Sequence, residues 1–318
     1  MPQALPRQPF APVCRRSAPA QARSTSSGLE PLRRLSELGE FGLLAELERR
    51  GLVSGQDAEG AVLEGGLVVT QDVLVEGVHF RSEWTSWRDL GYKAAAVNLS
   101  DLAAMDAEPV GLLVGLAAGL ETGEATIVEL YEGIAEAGVP VLGGDTTAAG
   151  EFSISVTAVG RSERVPGRAG ARPGDVLVVT GPLGGAAAGL YALEHGLEGF
   201  DELVRRHRRP PFRLEEGRRL GPTAHALIDL SDGILSDAAR VAGRSRCRLA
   251  IDVESVPRAS RLEEVADLPF WTMGEDYELL AAVAPEDAAA LGLTVVGRVE
   301  EGVGVEPDLP AGWDAFRR

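Results

Sequence analysis

The segment Leu67-Val68-Val69-Thr70-Gln71-Asp72-Val73-Leu74-Val75-Glu76-Gly77-Val78-His79-Phe80 is rich in β-branched and apolar residues, yet it carries a carboxylate at its centre and a histidine beyond a glycine. Its residue types predict short strands at 67–71 and 73–80, following another at 62–63, with glycine turns between them. A β-rich run that ends in Asp delivers a carboxylate to the rim of a sheet, where ligands of α/β folds bind. The pattern recurs along the chain. Asp57 follows Ser54-Gly55-Gln56, Asp101 follows Asn98-Leu99-Ser100, and Asp145 follows Gly143-Gly144. Asp229 and Asp232 share Ile228-Asp229-Leu230-Ser231-Asp232-Gly233. Carboxylates gathered at one place repel unless hard cations lie between them, and hard cations take oxygen ligands. Such a set points to Mg²⁺, and the usual reason for a many-carboxylate Mg²⁺ site is a polyphosphate.

Outward from that segment the chain alternates strands and helices. Leucines at 32, 35, 38, 43, 44 and 47 predict a helix over 32–50. Helices follow at 89–105 and 123–137, with strands at 110–117, 139–142 and 152–161. The stretch 164–174, with two prolines and three glycines, reads as a link. A second series comprises strands at 176–180, 226–230, 248–253, 277–283 and 294–299, and helices at 185–195, 213–220, 233–242 and 285–291. Two α/β domains follow: 30–165 and 166–318. Residues 1–29, rich in Pro, Ser, Ala, Gln and Arg, have the composition of a disordered tail or of a start assigned too early.

The 318-residue chain is 45% hydrophobic, enough for two ordinary cores, and carries a net charge of −17. The first 29 residues contain four arginines and no acid, so the remainder lies near −21. Such a body is repelled by nucleic acid and by anionic membranes. Val110 to Leu120, the most apolar stretch, is far too short to span a bilayer. Two cysteines, Cys14 and Cys247, provide neither a disulfide framework nor zinc-ligand spacing, as expected of a cytoplasmic protein.

Phosphate chemistry here needs other devices than the familiar ones. The only lysine, Lys93, lies in Leu90-Gly91-Tyr92-Lys93-Ala94, outside any P-loop pattern, and the protein-kinase motifs are missing. Metal ions and arginine must then neutralise phosphate charge. The Thr180-Gly181-Pro182-Leu183-Gly184-Gly185 turn offers backbone N–H groups to a phosphate, or equally forms a close-packed strand–helix corner.

Five ordered blocks resemble the thiamine-monophosphate kinases, members of the superfamily that includes aminoimidazole ribonucleotide synthetase and selenophosphate synthetase. They are Asp72 to Phe80, Tyr92 to Met105, Gly143-Gly144-Asp145-Thr146-Thr147, Ile228 to Gly233, and Gly274-Glu275-Asp276-Tyr277-Glu278-Leu279. The resemblance runs from about Glu30 to the C-terminus. It implies the two-domain synthetase-like α/β (α+β) fold, with an N-terminal domain whose sheets pair across a homodimer and a C-terminal α/β domain. It also implies ATP-dependent phosphorylation of thiamine monophosphate by direct in-line transfer, with several Mg²⁺ ions. The matching metal positions are Asp57, Thr70, Gln71, Asp72, Asp101, Asp145 and Asp229, with Asp232 serving an ion on the acceptor phosphate. Nucleotide positions match Tyr131, Gly144, Asp145, Arg168 and Ser231. Thiamine-phosphate positions match His79, Glu275 and Trp313, where an aromatic face and a carboxylate suit a cationic thiazolium and an aminopyrimidine.

Taken singly, each residue has a plainer reading. His79 reads as a half-buried strand residue, Trp313 as a lid on a terminal strand, Lys93 as a snorkelling side chain, and Asp145 and Asp232 as helix caps. The chain also departs from the pattern. Gln56 and Gln71 stand where a carboxylate and a threonine are usual, and Asp106 replaces a glycine, which puts metal affinity at that corner in question. Three alternatives remain: a sister enzyme activating an amide or selenide with ATP, a non-catalytic nucleotide-binding descendant, and a metal-dependent phosphatase.

Overall fold

The computed structural model describes residues 34–53 and 57–307. The expectations for residues 1–29, Gln56 and Trp313 lie outside these. In chain order the first half contains α1 (Leu35–Arg49), β1 (Ala61–Val62), β2 (Leu67–Val75), α2 (Trp87–Ala104), β3 (Glu108–Ala118), α3 (Glu124–Ala135), β4 (Val141–Ala148) and β5 (Ser153–Arg161). Its strands form one sheet of order β1-β2-β5-β3-β4, in which β5 runs antiparallel to both β2 and β3, and β4 runs parallel to β3.

The second half contains β6 (Val176–Val179), α4 (Gly185–Glu194), α5 (Asp201–Arg208), α6 (Leu214–Leu220), β7 (Ala226–Asp229), α7 (Ile234–Ser245), β8 (Arg248–Ile251), α8 (Leu262–Val265), β9 (Leu279–Val283), α9 (Pro285–Leu291), β10 (Thr294–Glu300) and β11 (Gly304–Glu306). The six strands lie in the order β11-β8-β10-β6-β9-β7, antiparallel except for the β8–β11 pair. Two mixed α/β layers thus stand where the alternating pattern led us to expect them.

Helix α2 is the part both halves share. Ala94, Ala95, Leu99 and Leu102 pack with Val68, Leu112, Val114, Ile154 and Val156 of the first sheet. Ala103 and Ala104 pack instead with Leu220, Leu227, Leu279 and Ala281 of the second half. Small side chains permit that double burial, and small residues also set the crossing with α3. A Cβ on Gly91 would overlap the carbonyl oxygen of Leu130, and one on Gly133 that of Arg88. Ser86 caps α2, its Oγ accepting the Asp89 N–H at 3.1 Å.

Three elements depart from the sequence expectation. β2 is one strand running straight through Asp72, which pairs with Val156, so this carboxylate sits mid-strand and not at a strand end. The chain turns only afterwards, at Glu76–Phe80, where Gly77 takes φ 75°. β4 extends to Ala148, so Gly143-Gly144-Asp145 lies inside a strand and Asp145 caps no helix. Helix α5 gives no apolar periodicity; only Leu203 and His207 are buried in a run that is otherwise acidic and arginine-rich.

Candidate active site

Alternation along β2 decides which of its polar residues meet α2. Thr70, 1% exposed, donates to the Asn98 carbonyl at 3.3 Å. Asp72, two residues on, shares that face. Gln71 points to the other face, exposed, and donates its amide to Ser155 Oγ at 3.1 Å. The expected ligand row Thr70-Gln71-Asp72 is therefore split across the sheet.

On α2, Asp101 lies one residue beyond Ser100, whose hydroxyl donates to Asp229 Oδ2 at 2.8 Å. Asp229 ends β7 and is buried. Carboxylate oxygens of Glu59, Asp101 and Asp229 lie within 4.8 Å of one another. Arg168 closes the group, donating Nε to Glu59 Oε1 at 2.9 Å and pairing through Nη2 with Oε2. Burial, reinforced by Glu59 and Asp232, pushes Asp72 up to about 6. Burial again, with Glu59 and Asp72, pushes Asp229 up to about 8 despite the Ser100 hydrogen bond. Asp101 is raised well above the carboxylate range by burial and then by Asp72 and Asp229. Asp232 rises to about 6, burial outweighing its ion pair with Arg240. Asp229, at about 8, keeps its proton in neutral solution, and a hard divalent cation would turn this crowded arrangement into a ligand set.

Asp57 does not join them. Its carboxylate is 71% exposed and 3.6 Å from Arg244, while its carbonyl oxygen accepts the Arg168 N–H at 2.6 Å. Glu59 stands where Asp57 was expected. The sequence offered a signal for it only in hindsight, as a second acid two residues along in Asp57-Ala58-Glu59.

A second cluster surrounds Glu275. Lys93, 1% exposed, donates Nζ to Glu275 Oε1 at 2.8 Å, and His207 Nδ1 lies 3.0 Å from Oε2. Lys93 is thus buried and ion-paired, not snorkelling. Burial works against the Glu275 charge, yet Lys93 and His207 hold the carboxyl well below its usual range. His79, half-buried, accepts the Val75 N–H at Nδ1 (3.1 Å). Burial lowers its pKa, Glu275 opposing and Lys93 adding to that shift. Tyr277 bridges the clusters: its buried phenol is raised well above the usual range by burial, then by Glu275, Asp72, Asp229 and Asp232. The loop is held by Glu275 N–H to Ser231 O at 2.8 Å and Tyr277 N–H to Leu230 O at 2.9 Å. A Cβ on Gly274 would overlap that same Ser231 oxygen.

Of the expected nucleotide positions, Arg168 and Ser231 border the acidic cluster. Tyr131 sits half-buried on α3 against the first core. Gly144 and Asp145 lie on β4, where every residue is exposed. Gly144 approaches β3 so closely that a Cβ would overlap the Val114 carbonyl oxygen. The Gly181–Gly185 turn has an internal partner. Asp276 accepts from the Gly184 N–H at 2.7 Å and the Ala186 N–H at 3.4 Å, and Thr180 Oγ1 donates to the buried Glu278 at 2.6 Å. The helix start is satisfied by the protein's own carboxylate, which favours the close-packed corner.

Comparison with known proteins identifies the family. The N-terminal domain family of AIR synthase related proteins matches residues 56–162, and the corresponding C-terminal domain family matches residues 172–308. The thiamine-monophosphate kinase of Rhodopirellula baltica is 40% identical over 238 residues, 70% of each chain. That of Aquifex aeolicus is 35% identical over 306 residues, covering 89% of this chain and 100% of its own. The solved structure of AaThiL complexed with AMPPCP and TMP is 33% identical and superposes with a TM-score of 0.84, over 90% of this chain and 99% of that one. Two domain families matched in order, and relatives matched over nearly their whole length, place this chain in the thiamine-monophosphate kinase family of AIR synthase related proteins.

Proposed function

We propose that this chain transfers the γ-phosphoryl group of ATP to thiamine monophosphate, giving thiamine diphosphate and ADP. The observation that carries the reading is the pair of adjoining clusters: buried carboxylates for metal-bound phosphates on one side, and the Lys93–Glu275–His207 group on the other. A phosphate oxygen of thiamine monophosphate attacks the γ-phosphorus in line as the bond to the β,γ-bridging oxygen breaks, with no covalent enzyme intermediate. Glu59, Asp72, Asp101, Asp229 and Asp232 would hold Mg²⁺, which supplies charge neutralisation between two anionic reactants. Arg168, beside Glu59, offers a fixed cation to ATP phosphate, and its planar fork suits bidentate contact. Tyr131, Gly144, Asp145 and Ser231 remain our candidates for the nucleotide, and His79, Glu275 and Trp313 for the acceptor. Gln71 we assign to the sheet and Asp57 to the rim of the site.

A homodimer belongs to the same reading. Val73, Val110, Leu113, Val141 and Leu142 are exposed on the first sheet, and a second copy would cover them together with β4, which carries Gly144 and Asp145. In this proposal residues 30–165 bind nucleotide and dimerise, and 166–318 supply the acceptor pocket. We place the enzyme in the cytoplasm; no described helix is long and apolar enough to cross a membrane. Incubating the chain with ATP, Mg²⁺ and thiamine monophosphate should yield thiamine diphosphate and ADP in equal amounts. ADP release without thiamine diphosphate would favour a sister synthetase, and nucleotide binding without turnover a non-catalytic descendant.

A further inference from the structure

Glu275 is anchored in an unusual way. It is a non-glycine residue at φ 67°, a left-handed conformation that persists only when its surroundings impose it. Its side chain keeps 28% of its surface open, whereas those of Lys93 and His207 behind it keep 2% and 4%. The three come from distant places: α2 in the first half, α5 in the second, and the loop before β9. Each carboxylate oxygen faces one buried partner: Oε1 accepts from Lys93 Nζ at 2.8 Å, and Oε2 lies 3.0 Å from His207 Nδ1. A carboxylate has about four acceptor sites, so the open edge stays available to donors on a ligand. Lys93 already supplies the charge that keeps Glu275 ionised; what His207 adds is a second point of attachment that stops the carboxylate from rotating. Burial lowers the His207 pKa, and its buried Nδ1 has no polar partner besides this 3.0 Å contact with Oε2.

We propose that His207 is a positioning residue for the acceptor substrate, acting through Glu275: with Lys93 it fixes the plane of that carboxylate so that the open edge meets hydrogen-bond donors of a cationic heteroaromatic acceptor. This rests on the kinase reading above and adds to it a residue of α5, an eight-residue helix without apolar periodicity. His207 itself touches no substrate.

The test is steady-state kinetics of full-length His207→Leu, His207→Asn and His207→Gln, alone and in a Glu275→Gln background, with both substrates varied. The amide of Asn reproduces Nδ1 of histidine and that of Gln reproduces Nε2, so only Asn keeps a polar group beside Oε2. We expect His207→Leu to raise KM for thiamine monophosphate about tenfold, the size of one lost hydrogen bond to a charged group, with KM for ATP unchanged within about twofold. His207→Asn should restore most of the loss and His207→Gln little of it. In the Glu275→Gln background His207→Leu should add less than about twofold, because the group it acts through is already altered. An unchanged acceptor KM, an equal rise for ATP, or an effect that persists without the Glu275 carboxylate overturns the proposal. If His207→Leu fails to melt cooperatively, the Asn and Gln variants decide, and equal constants for the two overturn it. A wild-type chain that makes no thiamine diphosphate refutes the kinase reading, and the proposal with it; an active wild type with indifferent variants refutes the proposal alone.

Discussion

Replacing Asp101 by Asn separates the cost of the acidic cluster from its use. Asp101 is raised well above the usual carboxylate range by burial and by its neighbours Asp72 and Asp229. A carboxyl whose folded pKa exceeds its unfolded value, here 3.8, contributes stability fully below that value, and loses it as pH rises towards the folded pKa. The slope is about 1.4 kcal/mol per pH unit for one proton, so between pH 5 and 7 this single group withdraws at most about 3 kcal/mol. An asparagine amide does not titrate and escapes that loss. Asp72 and Asp229 ionise more readily once Asp101 is gone, which returns part of the gain. We therefore expect Asp101→Asn to be more stable than wild type by about 1–2 kcal/mol at pH 7, and hardly different at pH 4. In a chain of this size that is roughly 1.5–3 °C in Tm.

Metal reverses the comparison. A cation bound only by the folded state stabilises it by about 2.7 kcal/mol at a hundred times its Kd. Wild type should gain in Tm with Mg²⁺ and lose its pH sensitivity, while Asp101→Asn should gain little and turn over at below about 1% of the wild-type rate. Scanning calorimetry from pH 4 to 8, with and without Mg²⁺, reads both effects. Parallel pH curves for the two proteins, or equal Mg²⁺ stabilisation, would refute the reasoning.

Glu59→Gln should raise the Mg²⁺ concentration for half-maximal rate about tenfold or more, and Asp57→Asn by less than about threefold, since only Glu59 lies against Asp101 and Asp229; Mg²⁺ titrations with equal effects would restore Asp57 as a ligand. Arg213 donates to both oxygens of the fully buried Glu278 at 2.7 and 2.6 Å. Arg213→Leu leaves that charge with only the Thr180 hydroxyl and the Arg206 guanidinium 4.0 Å away, and urea unfolding should show a loss of about 3 kcal/mol. Light scattering at micromolar concentration should give twice the chain mass, and a fully active monomer would exclude the proposed dimer.

What the sequence made legible was whatever one element carries by itself. Asp101 and Asp229 stand out because each interrupts an apolar run, and the flanking runs announce α2 and β7. The two sheets follow from alternation and glycine turns. Strand ends were less visible: Asp72 lies mid-strand because Val73 and Val75 continue the pairing to Ser155 and Ser153, which no local pattern in 67–80 can reveal. Gln71 matches a metal position by resemblance, although period-two alternation sends it to the opposite face. Pairings across the fold were not legible at all. Lys93 and Glu275 are 182 residues apart, and neither carries a sign of the other. Glu59 looks like any exposed turn acid until Arg168 is folded against it. In Gly274 to Leu279, recognised as one motif, only Glu275 and Tyr277 lie at the site. Asp276 caps the start of α4 and Glu278 anchors Arg213 and Thr180, so the run owes most of its character to architecture.

The two clusters are set apart by one helix. Lys93 and Ser100 are seven residues apart on α2, so at 100° per residue they fall within about 20° of the same stripe, and Asp101 follows one position later. The rise of 1.5 Å per residue separates Lys93 from Asp101 by roughly 12 Å along the axis. A two-ring cation with a phosphate on a short arm is of that order of length. Its ring end would meet the carboxylate that Lys93 anchors, while its phosphate reaches the acids around Asp101. α2 is packed against both halves, with Ala94 and Leu99 in the first core and Ala103 and Ala104 in the second. Neither cluster can then shift along the helix without disturbing two cores at once. The alanine-rich stretch Ala94-Ala95-Ala96, which carries no chemistry, is what lets α2 be buried on both sides and hold that spacing.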